Sequence, residues 1–329
     1  MGQERWHSMM QYSEVINRVN SFINSLLREN MDVYRASAHL ISAGGKRLRP
    51  LLTVRFYESL GGTADDIIEA AAAVELIHSF TLVHDDIMDN DEYRRGVPTV
   101  HKVFGTPKAI LAGDLLFAEA YRALLMSKIL NFYPDRFFWS TRVLTENVVM
   151  ICEGQDMDLT PPKEFNESFY YDLIRRKTSA LFVASALIGV YASGKKEYEN
   201  AARTYGDSFG IAFQIVDDLL GIIGDPDETG KPVGSDIREG KMTLPISTAI
   251  NMADKELKAK IMRVYGKPSS DEEMKEIVDR VKSMQLEEHV LNVANAYAKS
   301  ALNALEKIPE SDSKRNLEEL VELAIRRKK

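Results

Sequence analysis

The chain has 329 residues, of which 45% are hydrophobic and 28% are charged, a balance typical of globular rather than disordered proteins. Its formal net charge of −7 argues against a general nucleic-acid-binding protein, because such proteins more often carry a basic surface. Cys152 is the only cysteine, so no disulfide can form within the chain. Because Cys152 lies in an apolar stretch, we expect it to be a small core residue.

The apolar segments are too short to cross a membrane. The longest nearly apolar run, 180–192, is shorter than the ~20 residues that a membrane-spanning helix needs. The first residues contain no apolar signal segment. We therefore predict a cytoplasmic protein that does not span a membrane.

Apolar residues recur at three- and four-residue spacing along most of the chain, which predicts helices. No stretch shows the sustained alternation of a half-buried strand. The predicted helices are 10–29, 32–42, 48–60, 64–90, 107–130, 134–157, 165–192, 195–221, 242–252, 254–264, 270–306 and 312–327. The predicted loops are 91–106, the segment around Pro161 and Pro162, and 222–241. Because none of these is a long polar linker, we expect a single all-α domain, 1–329.

A first acidic cluster ends the predicted helix 64–90, where the sequence reads HDDIMD. Asp85 and Asp89 are four residues apart and share a helix face, so their charges repel. The carboxyl end of a helix also disfavours anions. A divalent metal would offset both effects, and Mg²⁺ binds one or two carboxylates together with substrate phosphate oxygens. The alternative interpretation is an exposed acidic helix end.

A second acidic cluster, Asp217-Asp218, lies within the apolar run FQIVDDLLG near the end of the helix 195–221. Burying an unpaired charge is costly, and two surface acids with packed neighbours would explain one acid more easily than both. Two such clusters facing each other across a helical bundle would form one metal site with several ions.

Basic residues adjoin both clusters, as expected if metal-bound anions are the ligands. The segment GGKRLRP (44–50) opens a predicted helix, where amide groups and basic side chains bind phosphate. Further basic residues are Arg94, Arg95, Lys177, Lys231 and Lys241. Each alone is more often a solvated charge, but arginine and lysine together neutralise diphosphate well.

In chain order, five segments resemble the trans-isoprenyl diphosphate synthase family, most closely the archaeal type. They are GGKRLRP (44–50), ELIHSFTLVHDDIMDNDEYRRGVPTVH (75–101), GDLLFAEAY (113–121), RRKTSALF (175–182) and FQIVDDLLGIIGDPDETGKPVGSDIREGKMTLP (213–245). The resemblance implies an all-α bundle of about ten or more helices around a central cavity, forming a homodimer. It also implies condensation of isopentenyl diphosphate with dimethylallyl, geranyl or farnesyl diphosphate.

The resemblance further assigns roles to individual residues. Two or three Mg²⁺ ions per active site are expected on Asp85, Asp89 and Asp217, with Asp86 and Asp218 supporting these ligands. The residues expected to bind the allylic diphosphate are Arg94, Lys177 and Lys231. Those expected to hold isopentenyl diphosphate are Lys46, Arg49, His78 and Arg95, and Lys241 is a further substrate-binding candidate. The groups expected to face the allylic cation are the Lys177 carbonyl, Thr178 and Gln214.

Two positions of this chain, 221 and 80, differ among members of the family. Gly221 stands where many members have a third aspartate in the second acidic cluster, which leaves the number of metal ions open. Phe80 lies five residues before Asp85, about 7–8 Å along a helix, and its ring would form a floor beside the small Thr81. A single aromatic residue there resembles synthases of C20 geranylgeranyl diphosphate, although Phe80 as a plain core residue is the alternative.

Other functions remain open at this point. A shorter product, farnesyl diphosphate, or a longer polyprenyl diphosphate requires only a different cavity depth. A terpene cyclase shares the first acidic motif but has no need of the Lys46, Arg49 and Arg95 group. A non-catalytic subunit of a prenyl synthase would tend to have lost acids, whereas both pairs are present here.

Overall fold

The structure is a computed structural model, and it describes residues 2–28, 30–162, 166–224 and 234–326. Its first helices are α1 (Gly2–Leu26), α2 (Asp32–Ser42), α3 (Leu48–Ser59), α4 (Ala64–Met88), α5 (Val100–Phe104), α6 (Thr106–Met126), α7 (Lys128–Phe132) and α8 (Pro134–Leu159). Then follow α9 (Glu167–Ile174), α10 (Ala180–Ser193), α11 (Glu199–Ile223), α12 (Ser235–Glu239), α13 (Leu244–Met252), α14 (Lys255–Val264), α15 (Asp271–Lys282), α16 (Leu286–Leu305) and α17 (Asp312–Ile325).

Three shorter elements interrupt this helical pattern. A π-helical segment, Arg175–Ser179, joins α9 to α10, and a 3₁₀ turn, Lys196–Tyr198, precedes α11. Strand β1 (Tyr93–Arg94) pairs antiparallel with β2 (Val97–Pro98), with Arg94 opposite Val97. The prediction of an all-α protein is confirmed, apart from this two-residue ladder in the described part of the chain.

Several predicted boundaries were wrong. The segment 270–306 is two helices, because Gln285 adopts a left-handed conformation (φ 57°) between α15 and α16. Likewise 107–130 divides after Met126, the predicted helix 10–29 begins at Gly2, and the predicted loop 91–106 contains β1, β2 and α5. The predicted loop 222–241 contains α12, although residues 225–233 lie outside the described ranges.

The described residues group into two compact units by their contacts. The first comprises 1–148, 181–203 and 304–318, and the second comprises 149–180, 204–303 and 319–329. Each has its own buried residues, and the prediction of one domain remains a prediction.

In the first unit α4 is the central helix, and α1, α3 and α6 pack against it. Four consecutive alanines of α4, Ala70–Ala73, are fully buried, so neighbouring helices can approach its axis closely. Among the described residues α4 is the one helix long and apolar enough to cross a membrane, and 67% of its apolar window is buried inside the protein. A mostly buried window of this kind is typical of the core helix of a soluble protein.

The second unit has a core of branched aliphatic side chains. Ile215 and Val216 on α11 pack in one cluster with Ile277 and Val281 on α15 and with Val290 on α16. These contacts fix the end of α11 that carries the second acidic cluster. Cys152 on α8 is exposed, so its prediction as a core residue was wrong. Its neighbour Ile151 faces the interior instead, since successive helix residues point about 100° apart.

Candidate active site

The first acidic cluster lies at the carboxyl end of α4, as predicted. The helix ends at Met88, and Asp89 follows as its cap, with its backbone N–H donating to the Asp85 carbonyl at 2.8 Å. Asp85 is half-buried and Asp89 is exposed. Both carboxylates therefore stand at the negative end of the helix dipole, where a cation stabilises them.

Asp86 differs from Asp85 because it is fully buried and bonded to a guanidinium group. The β1–β2 turn returns Arg94 to the helix end, where its Nε donates to Asp86 Oδ1. Arg94 Nη2 also donates to Asp91 Oδ2 at 3.0 Å. Burial raises the pKa of Asp86 to about 6, against the opposing effect of Arg94. Asp86 Oδ2 is buried with no hydrogen-bond partner in the described part of the chain.

Basic residues of the first unit gather near the start of α3. Lys46 is exposed, and Arg49 stacks over the Phe182 ring at 4.2 Å. Arg49 Nη1 lies 3.4 Å from Nε2 of His78, and burial together with the neighbouring arginines holds the pKa of His78 well below its ordinary value. Arg95 donates to the carbonyl of Leu40 at 3.0 Å. The structure thus brings together residues that are far apart in sequence.

Phe80 lies on α4, five residues before Asp85, and its ring packs between two other rings. Its centroid lies 5.1 Å from His84 and 5.5 Å from Phe117 on α6, both edge to face. Phe117 in turn contacts Tyr121 at 5.2 Å. The hydroxyl of Thr81, beside Phe80, donates to a backbone carbonyl one turn earlier at 2.8 Å. Phe80 is therefore held by ring contacts on two sides.

The second acidic cluster repeats the arrangement of the first. Asp217 is exposed, whereas Asp218 is buried and accepts two hydrogen bonds. Tyr170 Oη donates to Asp218 Oδ2 at 2.7 Å, and Gln214 Nε2 donates to Oδ1 at 2.7 Å. Burial, and then the nearby carboxylate of Asp236, raises the pKa of Asp218 to about 8. A positive charge close to Asp217 and Asp218 would favour the ionised form of Asp218.

The π-helical segment 175–179 places two more predicted residues. Thr178 Oγ1 donates to Gln214 Oε1 at 2.7 Å, and Lys177 Nζ pairs with Asp158 Oδ2 at 2.6 Å. A Cβ atom on Gly154 would lie 2.9 Å from Lys177 Cα, and one on Gly210 would lie 2.6 Å from Cα of the last residue of the segment. Two glycines therefore let α8 and α11 pack directly against this backbone. π-Helical turns occur frequently at functional sites.

The remaining predicted residues have different outcomes. Lys241 Nζ pairs with Glu239 at 2.7 Å, just after α12. Lys231 lies outside the described residues. Sequence analysis did not single out Tyr170 or Asp236, although both lie beside Asp218. No spacing rule reveals Tyr170, because it is 48 residues from Asp218 in the chain.

Comparison with known proteins identifies the family. The family model described as polyprenyl synthetase matches residues 30–281. This chain belongs to the polyprenyl synthetase family. It is 39% identical over 325 residues to the geranylgeranyl diphosphate synthase of Sulfolobus acidocaldarius, covering 97% of this chain and 98% of that protein.

Solved structures of polyprenyl synthetases agree. The geranylgeranyl pyrophosphate synthetase of Pyrococcus horikoshii matches with a TM-score of 0.89 and 36% identity, covering 99% of this chain and 100% of that one. The geranylgeranyl pyrophosphate synthase of Corynebacterium glutamicum, complexed with isoprenyl diphosphate and magnesium, matches with a TM-score of 0.85 and 29% identity, covering 96% and 98%.

The acidic side chains of this polyprenyl synthetase fit a hard divalent cation. Asp85, Asp89 and Asp217 offer carboxylate oxygens, the ligands that Mg²⁺ prefers. Within the described ranges no three acidic, histidine or cysteine side chains gather closely enough to hold an ion by themselves. Mg²⁺ suits such incomplete sets, because it usually takes one or two carboxylates and completes its shell with phosphate oxygens and water.

Proposed function

We propose that this protein joins isopentenyl diphosphate to an allylic diphosphate and releases geranylgeranyl diphosphate, a C20 product. Membership of the polyprenyl synthetase family supports this prenyltransferase activity. One observation carries the assignment: in both acidic clusters one carboxylate is accessible while the next is buried and hydrogen-bonded. Accessible Asp85 and Asp217 are suited to bind a ligand, and buried Asp86 and Asp218 are suited to orient them.

Asp85, Asp89 and Asp217 are the residues that would hold two or three Mg²⁺ ions. When bound, Mg²⁺ supplies positive charge that stabilises the departing diphosphate of the allylic substrate. Arg94 is fixed by Asp86 and Asp91 at the end of α4, so its charge is in place before that diphosphate leaves.

Three groups of the second unit are assigned to the allylic carbocation. The Thr178 hydroxyl, the Gln214 carbonyl oxygen and the Lys177 backbone carbonyl carry partial negative charge, which stabilises a cation. Thr178 and Gln214 are locked together by their 2.7 Å hydrogen bond, so their dipoles need little reorganisation. The carbon–oxygen bond to the allylic diphosphate breaks, and the double bond of isopentenyl diphosphate attacks the resulting cation to form a carbon–carbon bond. The released diphosphate takes up the proton that leaves the new chain.

Lys46, Arg49 and Arg95 are assigned to the diphosphate of isopentenyl diphosphate, with His78 as a hydrogen-bond donor. The lowered pKa of His78 leaves the imidazole neutral at pH 7, so one ring nitrogen carries a proton and can donate. A terpene cyclase consumes one allylic substrate and has no use for this second basic group. The basic group therefore favours condensation over cyclisation.

The partner is proposed to be a second copy of this chain. In the first unit six large apolar side chains of α6 and α7 are exposed: Ile110, Leu111, Phe117, Leu125, Met126 and Phe132. Several exposed large apolar side chains on neighbouring helices favour an interaction site. Light scattering of the purified protein should give the mass of a dimer, and a monomeric mass that persists at high concentration would contradict this proposal. The proposed compartment is the cytoplasm.

The experiment that tests the function compares Asp85→Asn with Glu92→Gln. Asp85→Asn removes a proposed ligand at almost constant volume and should lower Mg²⁺-dependent elongation by about two or more orders of magnitude. Glu92 is an acid seven residues along that pairs with Lys102 at 3.4 Å near the surface, so its substitution should leave elongation nearly unchanged. Equal activity of the two variants would contradict the assignment.

A further inference from the structure

The loop between α2 and α3 contains two glycines with positive φ angles, which glycine adopts readily, and one residue, Arg47, whose side chain disfavours its backbone conformation. Gly44 and Gly45 have positive φ angles of 98° and 139°, and Arg47 adopts the left-handed region with φ 50°. A residue with a side chain is destabilised in the left-handed region, because its Cβ atom crowds the backbone. Contacts from elsewhere must therefore hold the loop, which carries Lys46 and leads into Arg49.

The Arg47 side chain turns inward and is only 1% exposed. Its Nη1 donates to Glu75 Oε1 at 2.8 Å and to the Gly44 carbonyl at 3.0 Å, and its Nη2 donates to the Ile41 carbonyl at 2.8 Å. Its Nε donates to Asn20 Oδ1 at 2.9 Å. One guanidinium group thus joins α1, the end of α2, the loop and α4.

Glu75, the acidic partner, is buried in the middle of α4, ten residues before Asp85. Burial raises the pKa of Glu75, and the nearby charges of Arg47, Arg95 and Arg49 oppose that effect. A buried ion pair is a weak source of stability, since well-packed apolar residues of similar volume often serve equally well. The use of an ion pair here points to a requirement for one defined geometry of the loop.

Arg95 reaches the same loop from the other side of the first acidic cluster. Its Nη1 donates to the carbonyls of Leu40 and Gly44, and its own backbone is left-handed with φ 54°. A Cβ atom on Gly45 would lie 2.7 Å from Arg47 Nη1 and 3.0 Å from Arg95 Cζ. The loop is therefore clamped between two guanidinium groups that leave no room for a side chain at Gly45.

We infer that the Arg47–Glu75 pair is a positioning device for the isopentenyl diphosphate subsite, a role that rests on the proposed function. Of the three basic residues in this segment, Lys46 is exposed and Arg49 is half-buried, whereas the Arg47 side chain is buried among protein acceptors. Arg47 acts through the loop. It fixes the backbone position of Lys46 and the start of α3 at Leu48, one residue before Arg49. Glu75 fixes Arg47.

The first test is Glu75→Gln, with steady-state kinetics for each substrate separately. KM for isopentenyl diphosphate should rise about tenfold or more, while kcat and KM for the allylic diphosphate change less than about twofold. The matched control is Glu58→Gln, which removes the negative charge from the 2.6 Å pair of Arg55 with Glu58 further along α3. Its kinetics should resemble those of the unmodified protein. Equal rises in both KM values for Glu75→Gln would overturn the role.

A double variant, Arg47→Met/Glu75→Leu, separates positioning from stability. It replaces the buried pair by apolar side chains of similar volume, so no charge is left unpaired and the protein should stay folded, with an unfolding midpoint lowered only by the lost bonds to Asn20, Ile41 and Gly44. KM for isopentenyl diphosphate should remain raised about tenfold, because the Ile41 and Gly44 carbonyls have lost the Arg47 guanidinium group. An unchanged KM in this folded variant would show that the pair serves stability alone.

The controls also separate this role from the proposed function. An unmodified protein that never consumes isopentenyl diphosphate would overturn the proposed function and this role together. An active unmodified protein whose Glu75→Gln and double variants keep a normal KM would overturn this role alone. Binding of isopentenyl diphosphate measured calorimetrically without the allylic substrate should weaken about tenfold in both variants, which provides a readout independent of turnover.

Discussion

The carboxylate of Asp236 occupies the space beside Gly221 that the side chain of a third aspartate in the second acidic cluster would enter. A Cβ atom at position 221 would lie 2.7 Å from Asp236 Cγ and closer still to Oδ2. Asp236 is buried, and its charge helps to raise the pKa of the neighbouring Asp218. The missing side chain at Gly221 therefore makes room for an acid that α12 supplies.

Gly221→Ala should displace Asp236, because the added methyl group overlaps its carboxylate. Overpacking of this kind costs about 1–3 kcal/mol of the free energy of unfolding, measured by urea denaturation. The double variant Gly221→Ala/Asp236→Gly should recover most of that loss, since the overlap is gone. A single variant as stable as the unmodified protein would contradict the close contact.

Tyr170→Phe should weaken the second acidic cluster. Removing the hydroxyl leaves Asp218 Oδ2 buried without its donor, which costs about 1–3 kcal/mol of stability. Elongation should fall as well, because Asp218 loses one of the two bonds that orient it. The control is Tyr171→Phe, since the Tyr171 ring packs against Tyr297 at 5.8 Å and this contact survives the change. Equal effects of the two substitutions would argue against the role of the hydroxyl.

The contribution of His78 to the free energy of unfolding should decrease as the pH falls below about 6.5, while the raised pKa values of Asp86 and Asp218 act in the opposite direction. Burial and the surrounding arginines lower the pKa of this imidazole, whereas the unfolded chain takes up a proton near the ordinary value of 6.5. Because the unfolded state then binds more protons at this site, the His78 contribution to the free energy of unfolding decreases with falling pH in this window. Urea denaturation between pH 5 and 8 should therefore show that His78→Gln becomes more stable relative to the unmodified protein as the pH falls.

His289→Gln is the control for that pH series, because His289 is an exposed histidine on α16. It should leave the pH profile of the free energy of unfolding unchanged. A His78→Gln profile parallel to that of the unmodified protein would contradict the assignment of this dependence to His78.

Phe80→Ala should lengthen the product beyond C20. The Phe80 ring packs edge to face against His84 and Phe117. Removing it leaves a space that these two side chains do not fill. Leu82→Ala removes similar bulk from a different side of α4, about 200° away, and should leave the product at C20. Chain length is measured by mass spectrometry of the hydrolysed products. Identical products from both variants would contradict the floor at Phe80.

Much of the fold was accessible from apolar spacing. Helix 32–42 was predicted with the same bounds as α2. The predicted end of α3 was one residue too late. The break between α15 and α16 could not be predicted, because neither glycine nor proline marks it. Gln285 takes the left-handed conformation that glycine adopts more often. Local spacing also misjudged Cys152, whose side of α8 depends on packing.

The site was accessible only in part for a similar reason. The acidic pairs and the basic segment are local patterns, so the sequence predicts them directly. The partners of these residues come from distant segments: Glu75 is 28 residues from Arg47, and Tyr170 is 48 residues from Asp218. No spacing rule connects such pairs, and only the packing of helices brings them together.

The most direct test of the account is product analysis of the purified protein with Mg²⁺, labelled isopentenyl diphosphate and farnesyl diphosphate. The account predicts one labelled C20 diphosphate that stops growing, and no product when a chelator removes Mg²⁺. The absence of Mg²⁺-dependent elongation with farnesyl, geranyl and dimethylallyl diphosphates alike would contradict it.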